Sequence, residues 1–232
     1  MTKFKDFLLF LVLTIIWFFE NKNFVSFSEK ISDVATLSEI NSSISYIAGA
    51  CLYSIVFILY CEYSKINFNM YEMLILRLGK RKFTNFLLIK NLTATFRFSC
   101  IYILLSFICS LIFSESDLVV KGNYPKFILV QFVALICYYC FISLILMFTD
   151  IFFNFKKTAI LVTTIVSICT ISLPNVFCNP STVILDNSYI CNAYDLKLTF
   201  VAMFMTISYC IIIYFLAIKF LKEKDIIMGK MK

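Results

Sequence analysis

The stretch FILVQFVALICYYCFISLILMF, residues Phe127–Phe148, decides the fold class of this chain. It holds no Asp, Glu, Lys or Arg. A helix that crosses a membrane needs about 20 consecutive, mainly apolar residues, and this stretch is long enough. Membrane-spanning strands alternate apolar with polar residues, whereas here the apolar residues run continuously. The stretch therefore predicts a transmembrane α-helix.

Five further segments have the same continuous apolar character. They are Phe4–Phe19, Ile44–Tyr60, Asn91–Phe113, Thr158–Leu173 and Thr199–Phe220. Hydrophobic residues make up 61% of the 232-residue chain and charged residues 15%, against roughly 45–50% and 25% in soluble domains. We therefore predict an all-α polytopic membrane protein with six transmembrane helices in a single domain, residues 1–232. A soluble enzyme, a DNA-binding domain and a disordered regulator are excluded.

The distribution of Lys and Arg along the chain predicts its orientation. With the N-terminus inside, sixteen of the 21 Lys and Arg residues fall on the inner side and five fall in outer loops. Because inner loops carry the excess of Lys and Arg, both termini are predicted to be cytoplasmic. The net charge of +7 is thus a topology signal, and no nucleic acid partner is expected. Trp17 is interpreted as an interfacial anchor. Arg97, near the inner end of the third span, either forms an ion pair with Asp150 or, as the preferred interpretation, marks the helix end and reaches for lipid headgroups.

Two outer loops, residues 20–43 and 174–198, are long. The first contains SFSE from Ser26, a capping-box pattern that predicts a short surface helix. The second is apolar but broken by Pro and Asn, and two interpretations stay open, a re-entrant segment or a surface lid. Cys178 and Cys191 both fall in the second loop, so they can form a disulfide if the exterior is oxidising.

The chain lacks the residues that most catalytic sites need. It has no His, which removes the commonest general base and zinc ligand. Its four Gly residues stand far apart, so there is no glycine-rich phosphate loop. Cys137 and Cys140 have redox-motif spacing, but in mid-span they are interpreted as core residues. We expect no enzyme activity, no metal and no bound cofactor, so that any ATP and Mg²⁺ must be bound by another subunit.

The fifth span has the most polar interior of the six. Thr163, Ser167 and Thr170 follow one another at spacings of four and three, which places them on one helix face. Such a stripe either packs helix against helix through small residues and hydrogen bonds, or lines a substrate path or a dimer face.

The cytoplasmic segment 62–90 is the most informative part of the chain. It contains MYEMLILRLG, residues Met70–Gly79, and then three basic residues. The apolar positions at helical spacing include Met70, Met73 and Leu74. The basic positions are Arg77, Lys80, Arg81 and Lys82. Gly79 is a natural helix end, and a basic cluster suits the negative end of the preceding helix. The pattern predicts a membrane-parallel helix, either for docking a partner or as a connector held by lipid headgroups.

This arrangement resembles the permease subunits of type-2 ABC exporters. The resemblance rests on six spans with both ends inside, on the broken loop between the last two spans, and on ILRLGKRKF, residues Ile75–Phe83, with Lys90 following. In that family an Arg and a basic cluster form a coupling helix that docks on the ATPase. The resemblance implies an apolar contact from Met70, Met73 and Leu74. It implies that the residues facing the ATPase or the membrane surface are Arg77, Lys80, Arg81 and Lys82.

The resemblance also implies partners and a location. The partners are a cytoplasmic ABC ATPase, a second permease in a homo- or heterodimer, and lipid of the bacterial cytoplasmic membrane. Small permeases of this kind export peptides, antibiotics or amphipathic molecules, and many confer bacteriocin immunity or antibiotic resistance. The alternatives are a solute-binding subunit of a vitamin-type importer and a non-transporting membrane regulator. The importer subunits dock through small residues on the first helix, and Phe7–Phe19 has no Ala and no Gly.

Overall fold

The computed structural model describes residues 2–21, 47–64, 77–113, 124–153, 156–172 and 196–223. Within these ranges the chain forms six α-helices and no strand. The helices are α1 (Thr2–Asn21), α2 (Ile47–Ser64), α3 (Lys80–Phe113), α4 (Tyr124–Phe153), α5 (Lys156–Ser172) and α6 (Leu196–Glu223). Each helix overlaps one of the six apolar segments in chain order. The all-α prediction is confirmed for the part of the chain that the structure describes.

Three of the helices are long and apolar enough to cross a membrane. Their candidate spans are Arg81–Phe113 in α3, Ile128–Phe153 in α4 and Met203–Phe220 in α6. Shorter apolar helical stretches are Cys51–Glu62 in α2 and Lys157–Thr170 in α5. The length and composition of the three long spans indicate a membrane protein.

The outer faces of the bundle are apolar. Phe4 and Phe7 of α1 are 72% and 63% exposed, and Phe204 and Phe215 of α6 are 73% and 63% exposed. Soluble monomers rarely present apolar patches of this kind to water. Large apolar side chains on these outer faces are what helices in contact with lipid present.

Helix α4 lies at the centre of the bundle. It packs against α2, α3, α5 and α6, whereas the main contacts of α1 are with α2 and α3. Residues 127–148 of α4 are apolar on every side of the helix, and a helix with that pattern is stable where neighbours cover it all round. The same feature that predicts a span thus explains why α4 is the most enclosed helix.

An aromatic cluster fills the contact between α2, α3 and α4. Its fully or almost fully buried rings are Tyr53, Phe57, Phe98, Tyr102, Tyr138 and Tyr139. The ring centres of Phe57 and Tyr139 lie 4.5 Å apart, and those of Phe98 and Tyr139 lie 4.8 Å apart. Each such pair contributes about 0.5–1.5 kcal/mol beyond the apolar area that it buries.

Trp17 lies inside the bundle. Its side chain is 0% exposed, and its ring stacks on Phe113 of α3 with centres 5.8 Å apart. The interpretation of Trp17 as an anchor in the membrane interface is therefore wrong. An indole ring that packs between two helices contributes to the stability of the bundle and cannot also contact lipid headgroups.

Candidate functional site

The basic residues of the segment 62–90 lie around a backbone break at Gly79. Arg77 and Leu78 are helical, and Gly79 has a φ of 74°, which lies in the left-handed region. The backbone N–H of Phe83 donates to the carbonyl oxygen of Gly79 at 3.0 Å, so α3 begins directly after the break. Gly79 thus ends one helical segment, as its sequence context predicts. Met70, Met73 and Leu74 lie outside the described residues.

The basic cluster belongs to the first turn of α3. Lys80 is the first residue of that helix, and the side chains of Arg81 and Lys82 are exposed, as is that of Arg77. The sequence interpretation placed this cluster at the negative end of the preceding helix. In the structure its charges add to the positive end of the α3 macrodipole, which favours an anionic neighbour.

The first turns of α3 are anchored in the bundle by apolar side chains. Phe83 and Leu87 of α3 pack with Leu144 and Met147 of α4, and with Ala217 of α6. Phe83 is only 2% exposed. The exposed basic residues therefore lie beside a packed cluster that joins α3 to α4 and α6.

The polar stripe of α5 faces helices of the same chain. Thr163, Ser167 and Thr170 are all buried. The hydroxyl of Thr163 lies 3.0 Å from that of Thr149 in α4, and the hydroxyl of Ser167 lies 3.1 Å from that of Tyr138. These are the hydrogen bonds of helix packing. A substrate path or a dimer face at these residues stays a prediction.

A second polar stripe, on α3, was missed at the sequence level. Its buried members are Asn91, Thr95, Ser99, Ser106 and Ser110. Asn91 Nδ2 donates to the carbonyl oxygen of Ser143 in α4 at 3.0 Å, and Ser110 forms a hydrogen bond with Tyr124. Within the described residues, the hydroxyls of Thr95, Ser99 and Ser106 have no such partner. The spacing of four between Asn91, Thr95 and Ser99 is the sequence signal that predicts this stripe.

A cleft of about 280 Å³ lies between α1, α2 and α3. Its ionisable lining residues are Lys5, Asp6, Tyr60, Lys90 and Arg97. Tyr60 Oη donates to Asp6 Oδ1 at 2.8 Å, which ties α2 to α1 at the edge of the cleft. Arg97 lies near the middle of α3, because α3 begins at Lys80. Arg97 therefore does not lie at the end of this helix, whereas its place at the inner end of the third membrane span stays a prediction.

A groove of about 500 Å³ runs along the outer surface between α3 and α4. Its lining is almost wholly apolar, and consists of Cys100, Ile103, Leu104, Phe107, Ile128, Leu129 and Phe132. The cleft and the groove are both lined by one face of α3. Successive residues on this face are four or three positions apart, first Thr93 and Arg97 in the cleft and then Cys100, Leu104 and Phe107 in the groove. The cleft and the groove are therefore neighbours along one helix face.

Cysteine and acidic residues do not assemble into a metal site in the described ranges. The eight cysteines described there are free thiols, Cys137 and Cys140 among them, and no group of three or more potential ligands occurs in these ranges. The predicted pair Cys178 and Cys191 lies outside the described residues.

The chain matches no known protein family, no curated protein and no solved structure.

Proposed function

We propose that this chain is the membrane-spanning permease subunit of an ATP-driven exporter of the type-2 ABC class. In this proposal six helices cross the bacterial cytoplasmic membrane, both termini are cytoplasmic, and a separate ATPase subunit binds ATP and Mg²⁺. The observation that carries the proposal is the exposed basic surface at Gly79, formed by Arg77, Arg81 and Lys82, beside the buried side chain of Phe83.

The packing around Phe83 supports a coupling role for this surface. α3 contains 34 residues, so at a rise of 1.5 Å per residue it is a continuous rod of about 50 Å. A partner that moves the segment before Gly79 pushes on one end of that rod. Phe83 and Leu87 transmit the displacement to Met147 of α4 and Ala217 of α6, because these side chains form one packed cluster.

The other components follow from the same proposal. A second permease subunit, identical or different, completes the transporter, and the substrate is a peptide, an antibiotic or another amphipathic molecule. Export of such a substrate confers resistance or bacteriocin immunity. The chain itself carries no catalytic role in this scheme.

The coupling role is tested by co-purification with the ATPase subunit of the proposed transporter. Replacing Met73 and Leu74 together with Asp puts two charges into an apolar contact. Each substitution should cost a few kcal/mol through desolvation, which is enough to abolish a typical docking interaction. Arg77→Glu should weaken the contact through charge reversal, and more strongly at low salt.

Lys157→Glu is the matched control for the charge reversal, since Lys157 is also exposed and is predicted to lie on the same side of the membrane. It should leave co-purification unchanged. The coupling assignment is wrong if the Met73/Leu74 variant inserts normally and still retains the ATPase at the wild-type level. That result is what a connector held only by lipid headgroups predicts.

A further inference from the structure

We infer that the cleft between α1, α2 and α3 binds the phosphate of an anionic phospholipid, and that an acyl chain of this lipid lies in the groove between α3 and α4. The site does not depend on the ATPase or on the substrate of the proposed transporter. The inference rests on the charge of the cleft, its depth in the membrane and its position beside the groove.

The charge of the cleft favours an anion. Lys5, Lys90 and Arg97 bring three positive charges to its lining, and Asp6 brings one negative charge. The Asp6 carboxylate accepts the hydrogen bond from Tyr60, which holds it toward α2. Lys90 also extends over the ring of Phe86, with its Nζ 4.9 Å from the ring centre. Lys90 and Arg97 alone therefore outnumber the one carboxylate of the lining, in a small space between helices.

The depth of the cleft matches that of a phospholipid headgroup. Phe113 ends α3, and Arg97 and Lys90 lie about 24 Å and about 35 Å from it along the helix, at 1.5 Å per residue. The hydrocarbon core of a bilayer is about 30 Å thick. If Phe113 lies at one edge of that core, Arg97 and Lys90 lie on either side of the opposite edge. Basic pockets between helices at this depth suit acidic lipid headgroups.

The groove gives the bound lipid a place for its hydrocarbon. It continues from the cleft toward the membrane centre, because Cys100 and Leu104 follow Arg97 on the same face of α3. Phe96 and Phe132, whose ring centres lie 6.0 Å apart, join α3 to α4 beside it. The cleft and the groove therefore match the phosphate and the acyl chain of a single phospholipid molecule. Inorganic phosphate or a detached headgroup would fill the cleft alone.

Native mass spectrometry of the full-length protein in detergent tests the site. Phosphatidylglycerol, phosphatidylcholine, glycerol phosphate and inorganic phosphate are added separately to the wild type. We expect phosphatidylglycerol to bind about tenfold more tightly than phosphatidylcholine, and glycerol phosphate and inorganic phosphate to compete only weakly. Equal affinity for the two lipids would overturn the inference. Competition by inorganic phosphate at the concentration of the lipid would show an anion site without a lipid groove, and would overturn it as well.

Two variants and a control assign the binding to these residues. Lys90→Gln combined with Arg97→Gln should remove the preference for phosphatidylglycerol. Leu104→Trp should fill the groove and weaken the binding of both lipids while leaving the weak competition by glycerol phosphate unchanged. Arg81→Gln combined with Lys82→Gln removes two exposed charges of the same helix outside the cleft, and should retain the preference. If this control loses the preference to the same extent as the Lys90/Arg97 variant, the lipid responds to general charge and the site is refuted.

Discussion

At the scale of single residues, Tyr138 joins three helices through one hydroxyl group. Its Oη lies 3.1 Å from Ser54 Oγ of α2 and 3.1 Å from Ser167 Oγ of α5, and the Tyr138 side chain is buried in α4. A hydroxyl donates one hydrogen bond and accepts others, so it can satisfy both serines at once. Because Tyr138, Ser54 and Ser167 are buried, losing either contact leaves a buried polar atom with one hydrogen-bond partner fewer.

Replacing Tyr138 with Phe removes both hydrogen bonds and keeps the ring. We expect the free energy of unfolding to fall by about 1 kcal/mol, in line with interhelical hydrogen bonds in other membrane proteins. The measurement is the Tm of the purified protein in detergent. Tyr209→Phe is the control, because Tyr209 is only half-buried on α6, and it should leave the Tm unchanged. Equal Tm values for the wild type and the Tyr138 variant would show that these contacts do not stabilise the bundle.

At the scale of helices and the breaks between them, Gly79 decides where α3 begins. A Cβ at Gly79 would meet no atom within 4 Å, so the surroundings leave room for a side chain. The cost of a substitution therefore comes from the positive φ, which disfavours an L residue by about 1–2 kcal/mol.

Gly79→Ala should loosen the first turn of α3. The hydrogen bond from Phe83 N–H to the Gly79 carbonyl reports on that turn, and we expect its amide to exchange about tenfold faster, which is the factor for about 1.4 kcal/mol. Hydrogen-exchange mass spectrometry of the segment 79–87 measures it. Gly79→Asn should have a smaller effect, because Asn tolerates the left-handed region better than Ala. If the Ala and Asn variants exchange alike and at the wild-type rate, the turn does not depend on this conformation.

The helices differ in how far their sequence predicts them. Residues 127–148 predict α4 because an unbroken apolar run is a property of one segment. The predicted third span begins at Asn91, whereas α3 begins at Lys80. The continuous apolar sequence is limited by four basic residues, Lys80, Arg81, Lys82 and Lys90. The helix includes them, because its backbone hydrogen bonds continue past charged side chains. Charge therefore predicts the limit of the hydrocarbon region better than it predicts the end of a helix.

The candidate sites also differ in how far the sequence predicts them. The α5 stripe was predicted from the spacing of Thr163, Ser167 and Thr170, since a face is a local property of one helix. The cleft was not predicted, because Asp6, Tyr60 and Arg97 come from three helices and are 37 or more residues apart in the chain. Only the packing of α1 and α2 against α3 brings them together.

At the scale of the whole molecule, packing and charge constrain different properties. The enclosed position of α4 and the apolar outer faces of α1 and α6 describe a bundle suited to lipid. They are compatible with either orientation, because hydrocarbon is the same from both sides. The proposed orientation rests on the Lys and Arg residues, because the membrane potential and the anionic inner surface favour positive charge on the cytoplasmic side.

The proposed six-span topology predicts opposite locations for Ser116 and Lys230. We replace all ten cysteines, introduce a single Cys at one of these positions, and treat intact cells with a membrane-impermeant thiol reagent. Ser116→Cys should react, because it follows α3 on the predicted outer side. Lys230→Cys should react only after the cells are permeabilised, which also serves as the control for its reactivity. Because an even number of spans returns the chain to the side on which it started, a Thr2→Cys variant should behave like Lys230→Cys. Equal labelling of Ser116→Cys and Lys230→Cys in intact cells would exclude the six-span model, whereas a full reversal would keep six spans and invert the orientation.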